Sequence, residues 1–165
     1  MKVVLALGSN LGDRFDTLQG ALDALFDSSE LEFVEVSPVY ETDPVGGPEQ
    51  GPYLNAVVIA SSTLEPMALL ERALGAENAF GRTREVRWGP RTLDVDLITV
   101  GDLVSDDPEL TLPHPRAHER AFVLVPWSRI DPDAALGGRP ITELLADLDQ
   151  SSVRLRPDLT LQRPE

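Results

Sequence analysis

The chain has 165 residues, 42% of them apolar, with 28 acidic against 14 basic side chains, a formal net charge of −14 and no cysteine. That length fits one globular domain with a real core. The absence of cysteine excludes disulfides, thiolate catalysis and cysteine-ligated metal, the acidic balance argues against general nucleic-acid binding, and no apolar run reaches the length of a membrane-spanning helix.

Residues 2–7 read as a buried first strand. No charged-then-apolar leader precedes it, and with the lack of cysteine this gives a cytoplasmic expectation. Gly8-Ser9-Asn10-Leu11-Gly12-Asp13 is a turn that offers several helix-capping side chains. Leu18, Ala21, Leu22 and Leu25 then recur at helical spacing, which predicts a helix over 13–27. A second strand follows over 31–36, a Pro- and Gly-rich loop over 43–52, and a third strand over 53–61. A second helix is expected over 64–80, with Glu65-Pro66 near its start and Gly81 after its end.

Residues 93–100 alternate and then turn apolar, as a strand does, and stop at Gly101-Asp102. A short hydrophobic piece and the irregular Leu112-Pro113-His114-Pro115 come next. The apolar stretch 122–126 packs inside, and 141–148 forms a last short helix. Residues 153–155 add a strand, and the tail beyond Pro157 is expected to be loose. The order β-α-β-β-α-β is the ferredoxin-like one, α+β, with an antiparallel sheet, both helices on one face and extra C-terminal elements. No repeat, low-complexity tract or linker divides the 165 residues.

The chemistry concentrates between Arg82 and Asp96, in the run RTREVRWGPRTLDVD. Period two puts Asp94 and Asp96 on one face of their strand, about 7 Å apart at the backbone, with Leu93, Val95 and Leu97 on the other. Two such carboxylates suit magnesium, which fills its remaining positions with water and substrate phosphate. Read alone, Asp-x-Asp is more often the solvated face of an amphipathic strand. Aspartate is nevertheless depleted in strands, and two of them repel unless a cation lies between.

Arg82, Arg84, Arg87 and Arg91 fall within one turn-rich stretch around Trp88-Gly89-Pro90, while the whole chain has a single lysine, Lys2. The guanidinium fork matches phosphate oxygens. A charged loop is usually just solvated, but a local positive cluster on so acidic a protein is a candidate anion site. A metal-bound nucleoside triphosphate fits both halves of the run. No Walker-type Gly-x4-Gly-Lys-Ser/Thr occurs, so this is not a P-loop enzyme.

Four blocks carry a resemblance to a known family. They are Ala6-Leu7-Gly8-Ser9-Asn10-Leu11-Gly12; residues 37–55 with Tyr40-x-Thr42 and Tyr53-Leu54-Asn55; residues 81–96 with Arg-Trp-Gly-Pro-Arg-Thr-Leu-Asp-x-Asp at 87–96; and Leu112-Pro113-His114-Pro115 through Arg120-Ala121-Phe122. In that order they resemble the 6-hydroxymethyl-7,8-dihydropterin pyrophosphokinases of folate biosynthesis, over residues 3–127.

The resemblance implies transfer of pyrophosphate from ATP to the pterin hydroxymethyl group, with AMP released, two magnesium ions, and a monomer with no nucleic-acid or membrane partner. It implies that Asp94 and Asp96 hold metal and that Arg82 and Arg91 act with them in catalysis. ATP contacts fall to Glu77, Arg82, Arg84, Trp88, Arg91, His114 and Arg120; for Glu77 a solvated helical charge is the competing reading. Pterin contacts fall to Thr42, Val45, Tyr53, Asn55 and Phe122, where stacking rings and an amide suit a flat polar heterocycle. Packing in the core is the other reading of Tyr53 and Phe122. His118 is expected on the surface.

Three departures stand out. Leu74 replaces a frequent glutamine, Asp43 a common proline, and the arginine loop is one residue shorter than in some relatives. A regulatory binding module on the same fold, an ADP-releasing kinase and an inactive descendant are the rival readings.

Overall fold

The structure, a computed structural model, describes residues 1–10, 12–27, 29–43, 51–80 and 93–164. The first strand, β1 (Lys2–Ser9), leads through a turn into helix α1 (Arg14–Leu25). Asp13 caps that helix by accepting the Asp16 N–H at 3.2 Å. Strands β2 (Leu31–Val36), β3 (Tyr40–Thr42) and β4 (Tyr53–Ser62) follow, then helix α2 (Pro66–Ala79) and strand β5 (Asp94–Val100). Pro66 opens α2, where its missing N–H costs nothing.

The main sheet is antiparallel. Its order is β10-β3-β4-β1-β5, where β10 is Val153–Leu155, and β2 also pairs with β4. Alternation splits β1, β4 and β5 between two cores. Val3, Leu5, Leu7, Leu54, Ala56, Val58, Val95 and Leu97 meet Leu18, Leu22 and Leu25 of α1 and Leu69, Ala73 and Ala76 of α2. Val4, Ala6, Val57, Ile59 and Ile98 face the opposite way.

That second face is where the expectation changes. Helices α1 and α2 share one face as expected, but the sheet is covered on both. The apolar stretch around Phe122 is a helix, α3 (Ala121–Ile130), and with α4 (Ile141–Ala146) it packs on the second face through Val123, Leu124, Trp127, Ile141, Leu144 and Leu145. The short hydrophobic piece after Gly101 is a hairpin, β6 (Ser105–Asp107) with β7 (Leu110–Leu112). A smaller ribbon pairs β8 (Ala135–Leu136) with β9 (Arg139–Pro140).

The tail beyond Pro157 is docked rather than loose. Leu161 is 6% exposed in the first core, and Leu159 packs beside it. The Gln162 N–H donates to Gln19 Oε1 at 2.7 Å, and Gln19 Nε2 donates to the Gln162 carbonyl at 2.9 Å. Two leucines two apart in an extended segment suffice to hold it against α1.

Candidate functional site

The site builds on the second sheet face, near the C-terminal end of β1. Tyr40 pairs with Asn55, Asn55 with Gly8, and Gly8 with Asp94. These four residues are therefore consecutive cross-strand neighbours. One step along, Ala6 lies between Val57 and Asp96. Alternation places Tyr53 and Asn55 of β4 on the same side as Asp94 and Asp96 of β5. The strand between them offers only Gly8 and Ala6. With strands about 4.8 Å apart, the amide and the first carboxylate stand roughly 10 Å apart across a strip without bulky side chains.

Gly8 is required there for space. A Cβ on it would lie 2.8 Å from Asn55 Nδ2 and 3.5 Å from Tyr53 Cδ2. Asn55 itself is fixed. It is 6% exposed, its Oδ1 accepts a short hydrogen bond from Thr42 Oγ1, and its Nδ2 donates to the Leu7 carbonyl at 3.4 Å. A buried amide bonded at both ends has one orientation, which suits recognition of a donor–acceptor edge.

The approach to β4 is held from outside the pocket. Asn10 Nδ2 donates to the Gly51 carbonyl at 3.4 Å, and Arg14 donates to the Pro52 carbonyl and to Glu41 at 3.0 Å each. Glu41 also receives Arg156 at 3.1 Å. Arg154 grips Asp43 at 3.0 Å and holds its carboxyl below the usual range. Sequence reasoning did not assign Gly8, Asn10, Arg14 or Glu41 a part in the site. Gly8 was expected to open the turn after the first strand, but β1 runs on to Ser9 and holds it within the sheet.

Asp94 and Asp96 are half-buried at the start of β5. Arg120 Nη1 stands 3.8 Å from Asp96 Oδ2, and its guanidinium lies 5.5 Å over the Phe122 ring. The first turn of α3 thus brings a cation and an aromatic face to the aspartates together. His114 arrives by its backbone: its N–H donates to the Ile98 carbonyl at 2.9 Å, where the β1–β5 register shifts. Its Nδ1 accepts the Arg116 N–H at 3.2 Å, which leaves the proton on Nε2. Burial first, then the Arg120 and Arg116 cations, push its pKa down to about 4. His114 is therefore a neutral donor at neutral pH.

The structure brings Thr42, Tyr53, Asn55, Asp94, Asp96, His114, Arg120 and Phe122 to one side of the sheet. Glu77 lies elsewhere. It is 3% exposed on α2, and its Oε2 accepts the Val95 N–H at 2.8 Å. His118 is exposed, as expected. Val45, Arg82, Arg84, Arg87, Trp88 and Arg91 lie outside the described residues.

The donor set fits magnesium. Among the described residues no group of three or more His, Cys, Asp or Glu is placed to cage a metal ion. Asp94 and Asp96 supply two hard oxygen donors on a partly open face, which leaves coordination to water and phosphate. Paired carboxylates set across a bare strip from an oriented amide and aromatic rings have the chemistry for metal-assisted phosphoryl-type transfer to a flat polar acceptor.

Comparison with known proteins makes this specific. A profile of the 7,8-dihydro-6-hydroxymethylpterin-pyrophosphokinase (HPPK) family matches residues 4–132. The 2-amino-4-hydroxy-6-hydroxymethyldihydropteridine pyrophosphokinase of Mycobacterium tuberculosis is 49% identical over 178 aligned positions, covering 97% of this chain and 93% of its own. The protein of the same name from Methylorubrum extorquens is 43% identical over 92% of this chain and 96% of its own. The chain belongs to the HPPK family. A crystal structure of wild-type Plasmodium falciparum HPPK-DHPS with pteroate superposes with a TM-score of 0.68 at 14% identity, covering 88% of this chain and 42% of that one. That likeness concerns the fold alone, and this chain spans under half of the Plasmodium chain.

Among the described residues no helix is long and apolar enough to cross a membrane.

Proposed function

We propose that this protein transfers the pyrophosphoryl group of ATP to the hydroxymethyl oxygen of 6-hydroxymethyl-7,8-dihydropterin, a step of folate biosynthesis. The observation that carries the reading is the facing pair of half-sites: Asn55 with Tyr53 on one side of Gly8, Asp94 with Asp96 on the other. The separation suits a bicyclic ring whose substituent points at the metal-binding carboxylates.

In this reading Asn55 pairs with the pyrimidine edge of the pterin, and Tyr53 and Phe122 sandwich the ring, with Thr42 and Val45 beside it. The hydroxymethyl oxygen attacks the β-phosphorus, the bond from that phosphorus to the α–β bridging oxygen breaks, and the electron pair leaves on AMP. The hydroxyl proton passes to solvent. Two magnesium ions held by Asp94 and Asp96 would neutralise phosphate charge and lower the pKa of the attacking hydroxyl. Transfer of this kind rests on positioning and charge neutralisation. The neutral His114 donates from Nε2 to phosphate, and Arg120 adds its cation beside Asp96. Arg82, Arg84, Trp88 and Arg91 contribute from the loop by resemblance, Arg82 and Arg91 at the transferring phosphates.

The strand order, with α1 and α2 on one face, supports a ferredoxin-like core to which α3, α4 and β10 are added. We read the 165 residues as one catalytic domain acting as a cytoplasmic monomer on small-molecule substrates alone.

The test is product analysis after mixing protein, ATP, magnesium and 6-hydroxymethyl-7,8-dihydropterin. Pterin-dependent AMP is expected. ADP would replace this reading with single phosphoryl transfer, and no nucleotide product from a folded, pterin-bound protein would leave a binding module.

A further inference from the structure

Strand β5 is the outer strand of the sheet, with β1 on its inner side. An outer strand turns alternate N–H and C=O groups away from its neighbour, and these need partners when buried. The Val95 N–H is such a group, and it lies between the two aspartates. Its partner is the Glu77 carboxylate, at 2.8 Å. Glu77 is 3% exposed, so this is a charge-assisted bond formed away from water, where such bonds are strong.

Glu77 sits on the buried stripe of α2 with Leu69, Ala73 and Ala76. The end of that helix is pinned one turn on. Phe80 lies against α1 so closely that a Cβ on Gly20 would come within 2.5 Å of its ring. The carboxylate is therefore presented from a fixed scaffold. The peptide plane it grips joins Asp94 to Val95, so its tilt bears directly on the Asp94 side chain and, through Val95, on the strand that carries Asp96.

We propose that Glu77 is a positioning residue for the Asp94–Asp96 pair, acting through the Val95 peptide. The assignment rests on the functional reading above for the role of the two aspartates. Support groups one bond removed from metal ligands typically change metal affinity or activity 10- to 100-fold when lost. Glu77→Ala removes the acceptor, and Glu77→Gln keeps an acceptor oxygen without the charge.

The experiment compares wild type and both variants by amide hydrogen exchange at Val95, Mn2+ binding followed by electron paramagnetic resonance with a non-hydrolysable ATP analogue, and affinity for 6-hydroxymethylpterin. Glu77→Ala is expected to speed Val95 exchange and weaken Mn2+ binding, each about tenfold or more, with pterin affinity within about twofold. Glu77→Gln is expected to recover most of both losses. Unchanged Mn2+ affinity in Glu77→Ala overturns the proposal. So does a Glu77→Gln protein that keeps wild-type Val95 exchange yet loses Mn2+ affinity as fully as Glu77→Ala, which would assign the effect to charge acting without the bond, and so does a parallel loss of pterin affinity, which would assign it to general loosening. None of these readouts uses turnover. A wild-type protein that binds Mn2+ but forms no AMP would refute the functional reading and leave this comparison legible.

Discussion

Replacing Gly8 with alanine asks whether the bare strip on β1 is what orients the pterin edge. The new methyl would start 2.8 Å from Asn55 Nδ2, closer than real Cβ atoms come, so the amide must turn. Asn55 cannot turn freely, because Thr42 holds one end and the Leu7 carbonyl the other. Breaking one or two such bonds costs roughly 1–3 kcal/mol, while alanine in place of glycine returns about 0.5–1 kcal/mol of backbone entropy. The net loss of stability is then at most about 2.5 kcal/mol, or roughly 5–10 °C in Tm for a chain of this size.

Binding should suffer more than folding. A turned amide loses its paired contacts with the heterocycle, about 2–3 kcal/mol, which is roughly 30- to 150-fold in Kd. The assay is titration with 6-hydroxymethylpterin in the presence of a non-hydrolysable ATP analogue, with thermal unfolding alongside. In an Asn55→Ala background the same glycine change should cost little more, because the partner it disturbs is gone. Pterin affinity within twofold of wild type in a folded Gly8→Ala protein would refute the reasoning.

Asp94→Ala and Asp96→Ala should each abolish turnover and leave pterin affinity largely intact; wild-type rates in both would sink the metal assignment. His114 favours its neutral form in the fold, with a pKa near 4 against 6.5 unfolded. Below pH 6.5 the unfolded chain binds the extra proton first, so stability falls as pH drops toward 4. Difference curves of Tm against pH between wild type and His114→Gln should isolate that slope, and parallel curves would contradict it. Leu161→Ala should destabilise by about 2–3 kcal/mol through the cavity it leaves, with turnover at 25 °C unchanged. An unaltered Tm would mean the docked tail carries no load.

Helix α1 was legible because Leu18, Leu22 and Leu25 show the period, and α2 because Glu65-Pro66 marks its start. Helix α3 was not, since Ala121-Phe122-Val123-Leu124-Val125-Pro126-Trp127 is apolar on every side and contains proline. A segment wedged between a sheet and another helix loses the polar stripe on which periodicity depends. That Asp94 and Asp96 share one face could be read from period two alone. The part of Gly8 could not, because it depends on the register that sets Asn55 and Asp94 on either side of it. Glu77 lies on the buried stripe of its helix, whereas the resemblance implied an ATP contact and its charge a solvated face. What a buried carboxylate holds is invisible until the outer strand is placed.

The position of β1 also orders events during synthesis. This first strand is gripped by β4 on one side and by β5 on the other. As the chain leaves the ribosome, residues 2–9 must wait for residues 53–62 and then for residues 94–100. Contacts that distant in sequence form slowly, and an open strand edge in the interval invites pairing with other chains. Protection of the β1 amides that bond to β5 is accordingly expected in nascent chains in which Val100 has left the ribosome, and not in those halted before Leu93. The strand that carries Asp94 and Asp96 is thus also the piece that closes the sheet over β1.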